Sequence, residues 1–153
     1  MSDPVTCEIF PDYILGKVLA HLAEQAQTIV EIGTYLGTGS TTCLVLGMTK
    51  PEQRLWTIDK NPVHTAKARE NIRDERVSFL TGRALELLEQ LPPAIDLLYL
   101  DGGEDDSLKE FEALAPRSKV VAMDDTMGDK NREARLRCLA DPTTWHVLLD
   151  LPL

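Results

Sequence analysis

Three aspartates follow two apolar segments in the second half of the chain, where their carboxylates could act together. Asp101 comes directly after residues 95–100, and Asp124 and Asp125 come directly after residues 120–123. If both segments are parallel strands, their carboxyl ends meet at one edge of a sheet, where such sheets bind ligands. Carboxylates and waters suit Mg²⁺, which would lower the pKa of a bound hydroxyl and orient it for attack. The alternative is structural, because neighbouring acids at strand ends also cap helices and anchor loops.

A glycine-rich segment follows the first apolar segment, Thr28–Ile32. It has the spacing G-x-x-x-G-x-G through Gly33, Gly37 and Gly39, and Ser40 comes next. Glycines let the backbone turn tightly and approach a ligand, and Ser40 can cap a helix whose N-terminus attracts a carboxylate or phosphate. The spacing differs from the G-x-G-x-x-G of dinucleotide enzymes. A purely structural turn would also use glycines, so this segment indicates a ligand only together with other residues.

Asp59 directly follows the next apolar segment, residues 54–58, and lies twenty positions beyond Gly39. A carboxylate there can accept hydrogen bonds from both hydroxyls of a ribose, each worth about 1.5–3 kcal/mol. A surface acid or a cap for the turn at Asn61 and Pro62 is the alternative. The glycine segment and the acid, in consecutive strand–helix units, together predict a nucleoside-type ligand.

The elements that must position these residues alternate regularly along the chain. Periodicity typical of helices occurs at residues 12–27, 40–46, 63–72, 84–90, 108–114 and 132–139. Strand-like apolar segments occur at residues 28–32, 54–58, 77–80, 95–100, 120–123 and 145–151. This alternation predicts an α/β fold with a doubly wound parallel sheet. The nearly continuous apolar segment 95–100 is typical of a central strand covered on both faces.

The bulk composition limits the class of protein. A chain of 153 residues with 43% hydrophobic content predicts one domain over residues 1–153, with one core. The net charge of -9 disfavours nucleic acid and anionic membranes as partners. The three cysteines form no C-x-x-C pair and predict neither a disulfide framework nor a zinc site. Such cysteines fit a reducing cytoplasm. The sequence shows no basic leader and no long apolar segment, so we expect a protein that is neither exported nor inserted in a membrane.

Two short stretches concentrate charge. Residues 104–106 are all acidic, and a basic stretch contains Lys130, Arg132, Arg135 and Arg137. We interpret both as solvated surface patches in preference to docking sites.

The motifs together resemble those of the class I S-adenosylmethionine-dependent methyltransferases. The match is Glu31-x-Gly33-x-x-x-Gly37-x-Gly39-Ser40, followed by Asp59 after a strand, and it continues at residues 80–84. The resemblance implies a Rossmann-like fold of six or seven strands, mainly parallel, with helices on both faces. It also implies that the glycine loop holds the methionine portion of the cofactor, Asp59 its ribose and the amide of Ala84 its adenine. Tyr35 is expected beside the cofactor, because similar enzymes carry an aromatic residue there.

Residues 96–103 resemble one subgroup, the O-methyltransferases similar to catechol O-methyltransferase and to those that act on antibiotic sugars. This resemblance implies S-adenosylmethionine-dependent transfer of a methyl group to a small-molecule hydroxyl. It places Asp101 beside the methyl group, as cofactor contact and catalytic residue, and implies Asp101, Asp124 and Asp125 as metal ligands.

The chain departs from that subgroup directly after Asp101. The subgroup has a catalytic lysine or histidine there, whereas this chain has residues 102–107, in which Glu104 or Asp105 could substitute as base. A catalytically silent methyltransferase-like domain is therefore the alternative function. A dinucleotide-dependent oxidoreductase is a third, disfavoured by the glycine spacing. A six-stranded sheet would leave an exposed edge, so a homodimer is also expected.

Overall fold

The computed structural model describes residues 9–103, 105–148 and 150 as alternating strands and helices. The strands are β1 (Thr28–Ile32), β2 (Arg54–Asp59), β3 (Val77–Thr81), β4 (Ile95–Leu100) and β5 (Ser118–Met123). The α-helices are α1 (Ile14–Gln25), α2 (Ser40–Gly47), α3 (Pro62–Asn71), α4 (Ser107–Leu114) and α5 (Arg132–Ala140). Short 3₁₀ helices cover Ala84–Glu86, Leu88–Gln90 and Ala115–Arg117. The predicted α/β alternation is confirmed.

The five strands form one parallel sheet in the order β3-β2-β1-β4-β5. The chain moves outward from β1 to β3 and then returns to place β4 on the other side of β1. The strand order therefore reverses between β1 and β4. In open α/β sheets the ligand crevice lies at the carboxyl ends of the strands beside this reversal.

Apolar side chains cover both faces of the sheet. On one face Leu97 packs in a cluster with Leu19 of α1 and Leu44 of α2. On the other face Leu98 packs with Phe111 of α4. Since successive strand residues point to opposite faces, burial on both sides explains why β4 is nearly continuously apolar.

Local chemistry explains where α3 begins. The Asn61 side chain accepts a hydrogen bond from the Val63 amide at 2.9 Å, and Pro62 occupies the first turn. Proline suits that position because its missing N–H would have no helical partner there. The cap begins α3 three residues after Asp59 and so holds that acid at the start of the connection.

Two predicted elements differ from the structure. Residues 84–90 form two 3₁₀ helices instead of one α-helix, because Leu87, at φ -108° and ψ 8°, separates them. The predicted sixth strand, 145–151, is not formed by its described residues 145–148 and 150, and Leu149 and Leu151 lie outside the described part. The Trp145 amide instead donates to the Asp141 carbonyl at 3.0 Å, which turns the chain after α5, and its ring packs against Phe111. The described residues thus form five strands, where six or seven were expected.

In the part of the chain that the structure describes, no helix is long and apolar enough to cross a bilayer.

Candidate functional site

A cavity of about 540 Å³ opens at the carboxyl ends of β1, β2 and β4, beside the reversal of strand order. Its wall includes most of the residues predicted from the sequence, namely Gly33, Tyr35, Gly39, Ser40, Asp59, Ala84 and Asp101. Glu31, Gly37, Asp124 and Asp125 are not part of the wall. The size and the mixture of backbone, apolar and charged groups suit a small-molecule ligand.

Gly33 brings the ends of β1 and β4 into contact. Its φ is +108°, a conformation that favours glycine, and a Cβ added there would lie 2.3 Å from the carbonyl oxygen of Asp101. Only glycine fits this approach. The loop after β1 is thereby fixed against the residue that ends β4.

Asp59 ties the glycine loop to the start of α3. Its Oδ2 accepts a hydrogen bond from the Tyr35 amide at 2.8 Å, and its Oδ1 accepts one from the Asn61 amide at 2.8 Å. The His64 Nδ1 lies 3.4 Å from Oδ1, and its ring packs edge-on against Tyr35, with centroids 4.8 Å apart. Each carboxylate oxygen has two lone pairs, so the fixed Asp59 can still accept hydrogen bonds from a ligand in the cavity.

Glu31 is fully buried behind the cavity wall. Its carboxyl group accepts hydrogen bonds from three hydroxyls, those of Ser40 at 2.5 Å, Thr41 at 2.7 Å and Thr57 at 2.6 Å. Burial raises the pKa of Glu31 to about 7, although the three hydrogen bonds act to lower it. This residue therefore holds the first turn of α2, including Ser40, in place from behind.

Gly37 also lies outside the wall, and a Cβ there would lie 3.1 Å from the side chains of Ala68 in α3 and of Ile72, which follows α3. Its φ of +73° is the left-handed conformation, so glycine serves the turn itself. Direct cofactor contacts by Glu31 and Gly37 stay predictions.

Charged groups that were not predicted line the cavity near Ala84. Ala84 is buried in the wall, and the preceding Arg83 forms an ion pair with Asp106 at 2.5 Å, which links the loop after β3 to the start of α4. Glu110 of α4 is buried beside Gly102, and burial raises the pKa of Glu110 to about 7. The apolar spacing of α4 carries no signal that this glutamate faces a ligand cavity.

Asp101, at the end of β4, is paired with Lys130. The Lys130 Nζ lies 2.6 Å from the Asp101 Oδ1 and 3.0 Å from the Asp125 Oδ2, and only 17% of the lysine side chain is exposed. Burial raises the pKa of Asp101 to about 6, partly offset by the lysine. Burial acts to lower the pKa of Lys130, but its hydrogen bonds and charge interactions with the two aspartates outweigh burial and raise it.

The loop after β5 brings Lys130 to Asp101. The Asn131 amide group donates to the carbonyls of Leu100 at 3.0 Å and Asp124 at 2.7 Å, and the Ser107 hydroxyl donates to the Lys130 carbonyl. The sequence interpretation of Lys130 as part of a solvated basic patch is therefore wrong. The available signal was its place shortly after β5, at the same sheet edge as Asp101.

The predicted metal ligands do not fit a divalent cation as they are placed. The lysine ammonium occupies the space between Asp101 and Asp125, and the Asp124 Oδ1 accepts a hydrogen bond from the Asp125 amide at 2.8 Å. Within residues 9–103, 105–148 and 150, no group of three His, Cys, Asp or Glu side chains could hold a metal ion. The metal site stays a prediction. Of the two candidate bases, Asp105 lines the cavity and Glu104 lies outside the described residues.

The parallel sheet with a reversal of strand order and a cavity beside it defines a Rossmann-like ligand-binding fold. A family model described as "Methyltransferase domain" matches residues 30–126, which is more than half of the chain. The chain belongs to this methyltransferase family. The resemblance stated from the glycine loop, Asp59 and Asp101 is thus confirmed at the level of the family.

Solved structures show the same fold. An O-methyltransferase from Bacillus cereus in complex with SAH is 25% identical, with a TM-score of 0.73 over 90% of this chain and 73% of that one. A cofactor-bound protein from MTB, Rv0187, is 25% identical, with a TM-score of 0.69 over 94% of this chain and 74% of that one.

A Klebsiella pneumoniae protein provisionally described as an O-methyltransferase is 28% identical, with a TM-score of 0.67 over 80% of this chain. The chain spans 58% of the length of that protein. Among curated proteins, no match was found.

Proposed function

We propose that this chain binds S-adenosylmethionine in the cavity and transfers its methyl group to a hydroxyl of a small-molecule acceptor. The observation that carries the proposal is the convergence of the glycine loop, Asp59 and Asp101 on one cavity at the ends of β1, β2 and β4. Family membership and the SAH-bound structure from Bacillus cereus support the choice of ligand. We take residues 1–153 to act as one such domain.

Each part of the cofactor has a suitable group in the wall. The amides of Gly39 and Ser40, at the N-terminus of α2, suit the methionine carboxylate, because a helix N-terminus attracts negative charge. The Asp59 carboxylate suits the ribose hydroxyls, Tyr35 lies beside the cofactor, and the amide of Ala84 suits adenine.

Asp101 is the candidate proton acceptor. The bound cofactor supplies a methyl group on a sulfonium sulfur, and the electron pair of the C–S bond stays with sulfur when the acceptor oxygen takes the methyl. The hydroxyl proton passes to the Asp101 carboxylate and then to solvent. A base whose pKa is about 6 is largely ionised at neutral pH and can still hold a proton briefly.

Calorimetric titration of the full chain with S-adenosylhomocysteine (SAH) tests the proposal. We expect one site per chain with a Kd on the order of micromolar. Asp59→Asn should bind SAH at least about tenfold more weakly than wild type, because a neutral amide loses charge-assisted bonds to ribose. Asp74→Asn is a matched control, because Asp74 pairs with Arg76 away from the cavity wall. Absence of binding at high micromolar SAH would contradict the proposed function.

We also infer a homodimer and a cytoplasmic location. The outer side of β5 is unpaired among the described residues, and a second copy could cover this edge. Cys138 is a free, buried cysteine, as suits a reducing compartment. Light scattering during gel filtration tests the dimer, and a monomer mass at micromolar concentration would contradict it.

A further inference from the structure

The cavity contains a fixed positive charge at the end of β4. Lys130 lines the cavity wall, and its ammonium group is held between the carboxylates of Asp101 and Asp125. Exposed lysines of the chain are held differently. Lys119, for example, pairs with Asp96 but leaves 77% of its side chain exposed.

The backbone at Lys130 is anchored by contacts of its own carbonyl and of the next residue. Its own carbonyl accepts the Ser107 hydroxyl, and the next residue, Asn131, is bonded to the ends of β4 and β5 through its side chain. The lysine can therefore keep its position without a metal to organise the loop, which is the preorganisation that electrostatic stabilisation requires.

One N–H of the ammonium group is left for a ligand. An ammonium has three donors, and among the described residues the Lys130 Nζ donates to the Asp101 Oδ1 and the Asp125 Oδ2. A ligand oxygen in the cavity can take the third N–H while it lies close to the Asp101 carboxylate.

We propose that the Lys130 ammonium is the fixed cation of the acceptor site, in the place where a divalent metal was expected, and that it binds the reacting oxygen of an acidic, phenol-type hydroxyl. Asp101 takes the proton of this hydroxyl, and the oxygen that becomes negative is paired with the ammonium. No metal ion enters the balance. The acceptor-binding part rests on the proposed function, whereas the replacement of a metal by lysine does not.

Metal binding tests the first part. Titration of the full chain with Mn²⁺, followed by calorimetry, should show no stoichiometric site up to about 1 mM, the weak end of protein carboxylate sites. One Mn²⁺ per chain that is lost in Asp101→Asn would overturn the proposal, because a metal would then hold the place assigned to Lys130.

The second part is tested with 4-nitrophenol, whose ionised form absorbs visible light, in the presence of saturating SAH and EDTA. Wild type should bind the phenolate form, and Lys130→Gln should bind it about tenfold more weakly, because one charge-assisted bond is lost. Lys130→Arg should keep part of the effect, and the exposed Lys119→Gln should behave as wild type. Circular dichroism and SAH calorimetry on each variant separate misfolding from a local effect.

Equal phenolate binding by wild type and folded Lys130→Gln would overturn the inference. The same holds if neither protein binds the phenolate. The SAH titration keeps the two failures apart. If SAH binds but phenolate binding is the same in wild type and in Lys130→Gln, this inference fails and the proposed function stands. If SAH does not bind, the proposed function itself fails.

Discussion

The cavity has two sides whose acids are held by different means. On the cofactor side, residues 31–59, Glu31 is satisfied by hydroxyls and Asp59 by backbone amides, all from neighbouring strand–helix units. On the acceptor side, Asp101 is held by Lys130, from a loop 29 residues further along the chain. The cofactor side is thus a local network of hydroxyl and amide donors, and the acceptor side is a long-range ion pair. This difference suggests that binding and chemistry respond separately to mutation.

The largest expected effect breaks the acceptor side alone. Asp101→Asn should lower methyl transfer by about 10²–10⁴-fold, since it removes the proposed base, and should leave the SAH affinity within a few-fold of wild type. Release of SAH from S-adenosylmethionine, measured with a panel of phenols and catechols, gives the rate. Equal loss of rate in Asp101→Asn and in Asp96→Asn, an acid away from the cavity wall that pairs with exposed Lys119, would argue against a catalytic role.

The contact between the two sides predicts the next effect. Gly33→Ala should lower the free energy of unfolding by about 3 kcal/mol, because its φ is +108° and the new Cβ would meet the Asp101 carbonyl. Gly128→Ala is the matched control, because its Cβ would lie 3.8 Å from the nearest atom, the Asp125 carbonyl oxygen. Urea denaturation measures both variants, and similar losses would show that the contact carries no special strain.

The smallest expected effect sharpens the contrast in charge. The folded pKa of Glu31 is about 7 and its ordinary value is 4.5, so between these values the unfolded chain releases a proton that the folded chain keeps. Its contribution to stability is therefore complete below about pH 4.5 and is lost as pH rises to about 7, by on the order of 2–3 kcal/mol. Between about pH 5 and about pH 8, the free energy of unfolding measured with urea should decrease less in Glu31→Gln than in wild type. The same decrease in both proteins would show that a group other than Glu31 causes the pH dependence.

The elements of the fold were predictable where a single local pattern determines them. Apolar segments and the Asn61–Pro62 start signal predict β1 to β5 and α3 to within a few residues. Residues 145–148 have a strand-like pattern but turn back through Trp145, whose ring finds a partner in Phe111. Periodicity cannot distinguish such packing from strand pairing, because both bury apolar side chains.

The site, like the fold, was predictable where local spacing determines it. The glycine loop and Asp59 lie in consecutive units, so their spacing alone brings them together. Lys130 joins Asp101 through a loop whose path depends on Asn131 and Ser107, and the local charge pattern favours a surface patch. Glu110 was missed because its burial depends on the close approach of Gly102.

The loop that carries Lys130 also makes the two sides separable in protein engineering. The cation belongs to the connection between β5 and α5, which touches the sheet through Asn131, whereas the cofactor side belongs to the first two strand–helix units. Under the proposed function, exchange of residues 124–131 should therefore change the acceptor site and spare the cofactor site.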